Sequence, residues 1–165
     1  MRHLNLERIS IIIPVLNEAA MIQQTLLKLE EGLNVEVIVV DGGSQDKTVE
    51  LAQELGAKVI KCPGAGRANQ MNRGAAAATG DILLFLHADT DLPAGYETMV
   101  RKALSQSKTI AGAFQLKIDG RGRSLRLIET MVNWRSRFFS MPYGDQAIFL
   151  KASTFQEIGG FPNLP

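Results

Sequence analysis

Cysteine is almost missing from this chain: among 165 residues Cys62 stands alone, so no internal disulfide can form. That excludes a disulfide framework and makes a reducing compartment the expected setting, with the thiol beside Pro63 read as structural. Long hydrophobic runs are missing too. No stretch approaches the roughly 18 apolar residues that a membrane-crossing helix needs. The first apolar run, ISIIIPVL, is strand-sized and follows the charged MRHLNLER, so no export signal is read either. Net charge is close to nil at +1. What remains, 45% apolar and 21% charged residues, is the composition of one soluble globular domain. Such a length buries roughly two thirds of its unfolded surface without help from a metal or disulfide.

Charge is balanced overall but not locally. Between Arg101 and Arg137 lie nine of the 18 Lys and Arg residues, against only Asp119 and Glu129. Such a stretch is either a solvated face or a surface for phosphate groups or anionic lipid.

Apolar strands alternate with helices along the first two thirds of the sequence. ISIIIPV, 9 to 15, reads as a strand covered on both faces, and Asn17 is placed to cap a helix with Ile22, Leu26 and Leu29 on its inner side. VEVIVV, 35 to 40, is a second such strand, followed by Asp-Gly-Gly-Ser, with Ser44 as the cap of the next helix. AKVIK, 57 to 61, a small-residue helix from Gly66 to Ala78, DILLFL, 81 to 86, and a Pro93-led helix through Leu104 complete four alternations. This is the pattern of an α/β domain with an open, mostly parallel, doubly wound sheet and helices on both faces. IAGAFQLKI, 110 to 118, adds a mixed or edge strand. From Ser124 to Phe139 a helix is predicted with Leu127, Met131, Trp134 and Phe138 on one face beside several arginines. That face suits a core stripe or a dimer surface. AIFLK and a short helix from Ser153 lead to Gly159-Gly160-Phe161, after which the sequence stops at Pro165, and a longer domain is expected.

Several chemistries are excluded by missing motifs. The first strand is followed by Pro-Val-Leu-Asn-Glu and not by G-x-G-x-x-G, and neither a P-loop nor a G-x-S-x-G nucleophile elbow is present. What is present is a set of acidic and amide residues at strand ends: Pro14 to Glu18 after the first strand, Asp41 after the second, Asp89 and Asp91 after the fourth. In an open parallel sheet these loops share one crevice beyond the carboxyl ends of the strands. Carboxylates gathered there repel one another, and a hard cation shared with a diphosphate relieves that repulsion. Each residue also has a plainer use: Asp91 as a helix cap, Asp41 as the start of an Asx turn, His87 in packing or a hydrogen bond. Arg67 is a phosphate candidate because its fork matches phosphate oxygens.

ISIIIPVLNE, VIVVDGGSQDKT, MNRGAAAATGDILLFLHADTD and GDQAIFLK, in that order, resemble the family 2 glycosyltransferases of GT-A fold, from Ile9 to about Phe161. Within that family the sequence looks most similar to a bacterial group associated with radical-SAM and selenobiotic systems. The resemblance implies one domain, with a nucleotide-sugar half at about 9 to 104 and the start of an acceptor half at 105 to 165. It implies a UDP- or GDP-linked donor and a hydroxyl acceptor, lipid-linked in one version. It also implies Mg²⁺ or Mn²⁺, inversion at the anomeric carbon, no nucleic-acid partner, and a cytoplasmic or inner-membrane-peripheral setting. Pro14, Val15, Asn17, Glu18, Asp41, Arg67, Asn72 and Asp89 are the implied nucleotide-sugar residues, and Asp89 and Asp91 the implied metal ligands. The family's base belongs to a Glu-Asp motif after G-G-F. Here the sequence stops first, leaving Asp145 as the acceptor-side carboxylate. A sugar-phosphate nucleotidyltransferase and a nucleotide- or membrane-surface-binding module without turnover are the competing readings.

Overall fold

Unbroken β-branched and apolar sequence gives Ile9–Val15 the conformation and the burial of a central strand, β1, buried along its whole length. A computed structural model describes residues 6–29, 32–107, 109–114 and 147–162. In chain order β1 is followed by α1 (Ala19–Leu29), β2 (Val35–Asp41), α2 (Thr48–Glu54), β3 (Lys58–Lys61), α3 (Arg67–Ala77) and β4 (Ile82–Phe85). Then come α4 (Tyr96–Leu104), β5 (Ala111–Ala113), β6 (Ile148–Lys151) and α5 (Ala152–Glu157). The sheet runs β3-β2-β1-β4-β6-β5. The first four strands in that order are parallel, whereas β6 is antiparallel to both β4 and β5. β5 consequently points the same way as β1 to β4.

Alternation of side chains along the strands divides the core between two layers. Ile9, Ile11, Ile13 and Val15 pack under α1, α2 and α4 with Ile22, Leu26, Ala52, Val100 and Leu104. On the opposite face Ile12, Ile38, Val40, Leu83 and Phe85 meet α3 and α5 through Met71, Ala75 and Phe155. α3 lies close because of Gly74, where a Cβ would stand 2.4 Å from Ile12 Cγ2. At the other end of the sheet from the crevice, Glu36 gathers hydrogen bonds from Ser10 Oγ and from the N–H and hydroxyl of Thr79.

Three helix starts differ from those the sequence suggests; α2 begins only at Thr48 with Lys47 at its cap, while the Ser44 hydroxyl accepts from the Asn17 N–H instead. α1 begins at Ala19, since Asn17 adopts a left-handed φ of 54° and turns its side chain away from its own helix. α4 begins at Tyr96, three residues beyond Pro93, because Gly95 at φ 73° first closes a turn in which the Tyr96 N–H donates to the Pro93 carbonyl. Among the described residues no helix is long and apolar enough to cross a membrane. The amphipathic helix expected at 124 to 139 and the loop bearing Asp145 lie outside the described residues.

Candidate functional site

β1 and β2 end side by side, with Val15 opposite Asp41, so the two loops that follow leave from one point. Hydrogen bonds stitch them together. The Asn17 N–H donates to Ser44 Oγ at 2.8 Å, and Asn17 Oδ1 accepts from the Gln45 N–H at 2.8 Å. The N–H groups of Glu18 and Ala19, unpaired within their own helix, donate to Thr48 Oγ1 at 2.9 Å and Asp46 Oδ2 at 3.2 Å. Asp46 is exposed, and the hydrogen bond from the Thr48 hydroxyl is the main reason that its carboxyl lies below the usual range.

Asp41, 3% exposed, accepts from the N–H groups of Gly43 at 3.1 Å and Ser44 at 3.0 Å. Its carboxylate holds the turn in which Gly43 takes a φ of 110°, a conformation that favours glycine. Gln70 reaches the same place from α3. Its Nε2 donates to the carbonyls of Val15 at 3.0 Å and Val40 at 2.8 Å. The sequence reading passed over Gln70. Its signal was a polar residue four positions before Gly74 on the face of α3 that meets the sheet.

Glu18 lies in the field of charges from three other parts of the chain. Burial pushes its carboxyl above the usual range, and the charge of Asp89, from the loop after β4, pushes the same way. Arg67, at the start of α3, pulls it back, and Asp46 adds to the rise. Asp91 is directed elsewhere. It pairs with Lys28 in the last turn of α1, where both side chains are exposed. Lys28 is nine residues along α1 from Ala19, about 13 Å at the rise of an α-helix. Asp91 lines a separate hollow with Thr25, Lys28 and Tyr96 on the α1–α4 face.

Asn72 is also committed elsewhere. Its Nδ2 donates to the Phe161 carbonyl at 2.8 Å and its Oδ1 accepts from the Phe161 N–H at 2.9 Å. That double bond of amide to backbone seats the Phe161 ring against Phe85 and Phe155, with centroids 4.8 and 5.3 Å away. Pro14 is buried within β1. The structure thus brings together Val15, Asn17, Glu18, Asp41, Arg67 and Asp89, and leaves Asp91 and Asn72 on other contacts.

Glu18 and Asp89 supply the hard oxygen donors that Mg²⁺ or Mn²⁺ favours, and their mutual repulsion is what a cation relieves. Among the described residues no group of three His, Cys, Asp or Glu is arranged to hold a metal. This donor set fits a cation shared with phosphate oxygens better than one caged by protein.

Residues 10–159 match the profile described as Glycosyl transferase family 2, and the chain belongs to that family. It is 30% identical over 112 residues to a dolichol-phosphate mannosyltransferase of Pyrococcus furiosus, an alignment covering 63% of this chain and 32% of that protein. Its fold matches that of a mannosyltransferase from Pyrobaculum calidifontis in complex with GDP-Man and Mn²⁺. There the TM-score is 0.72 at 24% identity, over 94% of this chain and 48% of that one. The glucosyl-3-phosphoglycerate synthase of Mycobacterium tuberculosis, in complex with Mn²⁺, UDP and glucosyl-3-phosphoglycerate, matches with a TM-score of 0.59 at 25% identity. That match covers 89% of this chain and 57% of the synthase. The chain spans from about a third to somewhat over half the length of these relatives. The fold is of the GT-A type, a mixed sheet flanked by helices on both faces.

One expectation is corrected. The match is to family 2 at large, beside mannosyl- and glucosyltransferases. Nothing in it ties the chain to the radical-SAM and selenobiotic-associated group or marks it as cut short before a Glu-Asp motif.

Proposed function

We propose that this chain binds a UDP- or GDP-linked sugar in the crevice at the carboxyl ends of β1, β2 and β4, and transfers the sugar with inversion to a hydroxyl acceptor. The observation that carries this reading is the parallel register of β1, β2 and β4, whose carboxyl ends face one side and send out the loops of Glu18, Asp41 and Asp89, with Glu18 under the charges of Asp89 and Arg67. Two carboxylates and a guanidinium at the open end of a parallel sheet suit a diphosphate with its cation. The UDP and Mn²⁺ in the Mycobacterium synthase and the mannosyl transfer named for the Pyrococcus relative support it.

In this reading the loop from Pro14 and Val15 through Asn17 and Glu18 runs along the nucleotide. Asp41 recognises the base, its carboxylate keeping acceptor capacity on Oδ1 beyond the bonds with which it holds the Gly43–Ser44 turn. Arg67 takes phosphate oxygens, and Asn72 seats the Gly159–Phe161 turn. Asp89 and Asp91, with Glu18 beside Asp89 along the loop, face Mg²⁺ or Mn²⁺; the exposed pair of Asp91 with Lys28 is one that a divalent cation displaces at small cost. A bound divalent cation supplies charge neutralisation to the departing nucleoside diphosphate. Asp145 is the acceptor-side carboxylate of this reading, and the acceptor is lipid-linked in one version of it.

Titration calorimetry with GDP and with UDP, each with and without Mn²⁺, tests the proposal. One of the two should bind, and more tightly with Mn²⁺. Asp89→Asn and Asp91→Asn should each lose the Mn²⁺-dependent gain, about tenfold or more in affinity for a charge-assisted contact. Binding of neither nucleotide, or a full Mn²⁺ effect in Asp89→Asn, would overturn it.

A further inference from the structure

Gln70 stands one helical turn beyond Arg67 and is 6% exposed. A buried amide must find partners, and this one finds two carbonyls on neighbouring strands. Val15 is the last residue of β1 and Val40 the last but one of β2. Because both acceptors are carbonyl oxygens, the group between them must be the NH₂ end of the amide. The Val15 carbonyl accepts a further bond from the Gly42 N–H at 2.9 Å. A Cβ at Gly42 would lie 3.1 Å from Gln70 Nε2, so a side chain there would crowd the amide.

We infer that Gln70 is a positioning residue for the nucleotide site: it braces the ends of β1 and β2 to each other and to the first turn of α3, without touching the ligand. The two braced strand ends launch the loops of Asn17–Glu18 and of Gly43–Ser44, and the braced helix turn carries Arg67. One amide therefore sets the spacing among the Glu18 carboxyl, the Arg67 guanidinium and the turn held by Asp41. Gly74 makes this geometry accessible, since the close approach of α3 at Ile12 brings Gln70 within reach of the strand carbonyls. This role rests on the nucleotide-sugar reading, whereas the brace itself stands on the hydrogen bonds alone.

Gln70→Met keeps the length and bulk of the side chain and removes both donated bonds. In the full chain its donor KM should rise about tenfold while kcat stays within about twofold, the signature of lost binding geometry rather than lost chemistry. Amide exchange at Gly42, Gly43 and Ser44 should quicken, and exchange in β4 and α4 should not. In the wild type, NMR should show the Gln70 side-chain NH₂ protons exchanging far more slowly than those of exposed Gln45 and Gln53, a readout that needs no variant to fold. Fast exchange at Gln70 would overturn the brace. A variant that loses thermal stability but keeps its donor KM would overturn the positioning role. A wild type that neither binds nor turns over a nucleotide sugar would overturn the donor reading and the positioning role with it, while the exchange data would still decide the brace.

Discussion

Glu18 carries a charge that its surroundings resist. Burial and Asp89 raise its carboxyl above the ordinary value of 4.5, and Arg67 only partly offsets them. A raised folded-state pKa means that the group's contribution to stability is fully present below the unfolded value and is lost as pH rises through the folded one. At neutral pH the ionised Glu18 therefore opposes folding, weakly because water still screens the group. Followed by carboxyl-carbon NMR, the Glu18 titration should move down in Asp89→Asn, up in Arg67→Gln, and not at all in Asp91→Asn. Indifference to Asp89→Asn would separate the two loops. The residue types at the strand ends were legible in the sequence, because carboxylates after apolar strands have few structural uses. The direction of each side chain was not. Asp91 pairs with Lys28 in the last turn of α1, and D-x-D spacing carries no record of that pairing. Gln70 escaped because only burial distinguishes it from an exposed helix glutamine.

α3 is the element whose sequence looks weakest and whose placement is tightest. Its small residues let it lie on β1, with Gly74 against Ile12 and, at 3.0 Å from a Cβ, Val40 Cγ2. Gly74→Ala gains about 1 kcal/mol of helix propensity. It also forces a methyl into the stiff branch of Ile12, and overpacking of that kind costs about 1 to 3 kcal/mol. Denaturant unfolding should show a net loss of stability; a gain would mean that α3 can move off the sheet. Beyond its C-terminus, Thr79 donates to Glu36 through both N–H and hydroxyl, Ser10 donates as well, and Arg8 adds an ion pair at 3.5 Å. Burial pushes this carboxyl up, but those bonds outweigh it and hold it below the usual range. Its contribution is therefore present above the unfolded value of 4.5 and lost as pH falls through the lowered one. Glu36→Gln should be about 1 to 2 kcal/mol less stable than wild type at pH 7, with the gap narrowing at pH 3. The strands were legible as elements because β-branched runs leave little choice. The starts of α1 and α4 were not, since Asn17 bonds across to Gln45 and Gly95 inserts a turn after Pro93.

Across the whole molecule the sheet changes direction once, at β6. β6 reverses direction between β4 and β5, so β5 runs with the parallel strands and ends, at Ala113, at the crevice end of the sheet. Ala113 pairs with Ile148, so the chain leaves and re-enters the sheet at that same end. Between them lie most of the basic stretch from Arg101 to Arg137, with Trp134, Arg135 and Arg137, and Phe138 just after it. The reversal could not be read from IAGAFQLKI and AIFLK, because the pairing of short apolar strands is decided by where the intervening chain returns. Aromatic insertion and attraction to anionic headgroups act together at a membrane surface, and the second falls away as salt shortens the Debye length. If the acceptor is lipid-linked, the wild-type chain should co-sediment with anionic vesicles at low salt and release at high salt. Arg135→Glu with Arg137→Glu should abolish that binding while leaving Mn²⁺-dependent nucleotide affinity intact, since neither residue belongs to the donor loops. A folded wild-type chain that ignores such vesicles at low salt would leave the arginines to a solvated face and the sugar to a soluble acceptor.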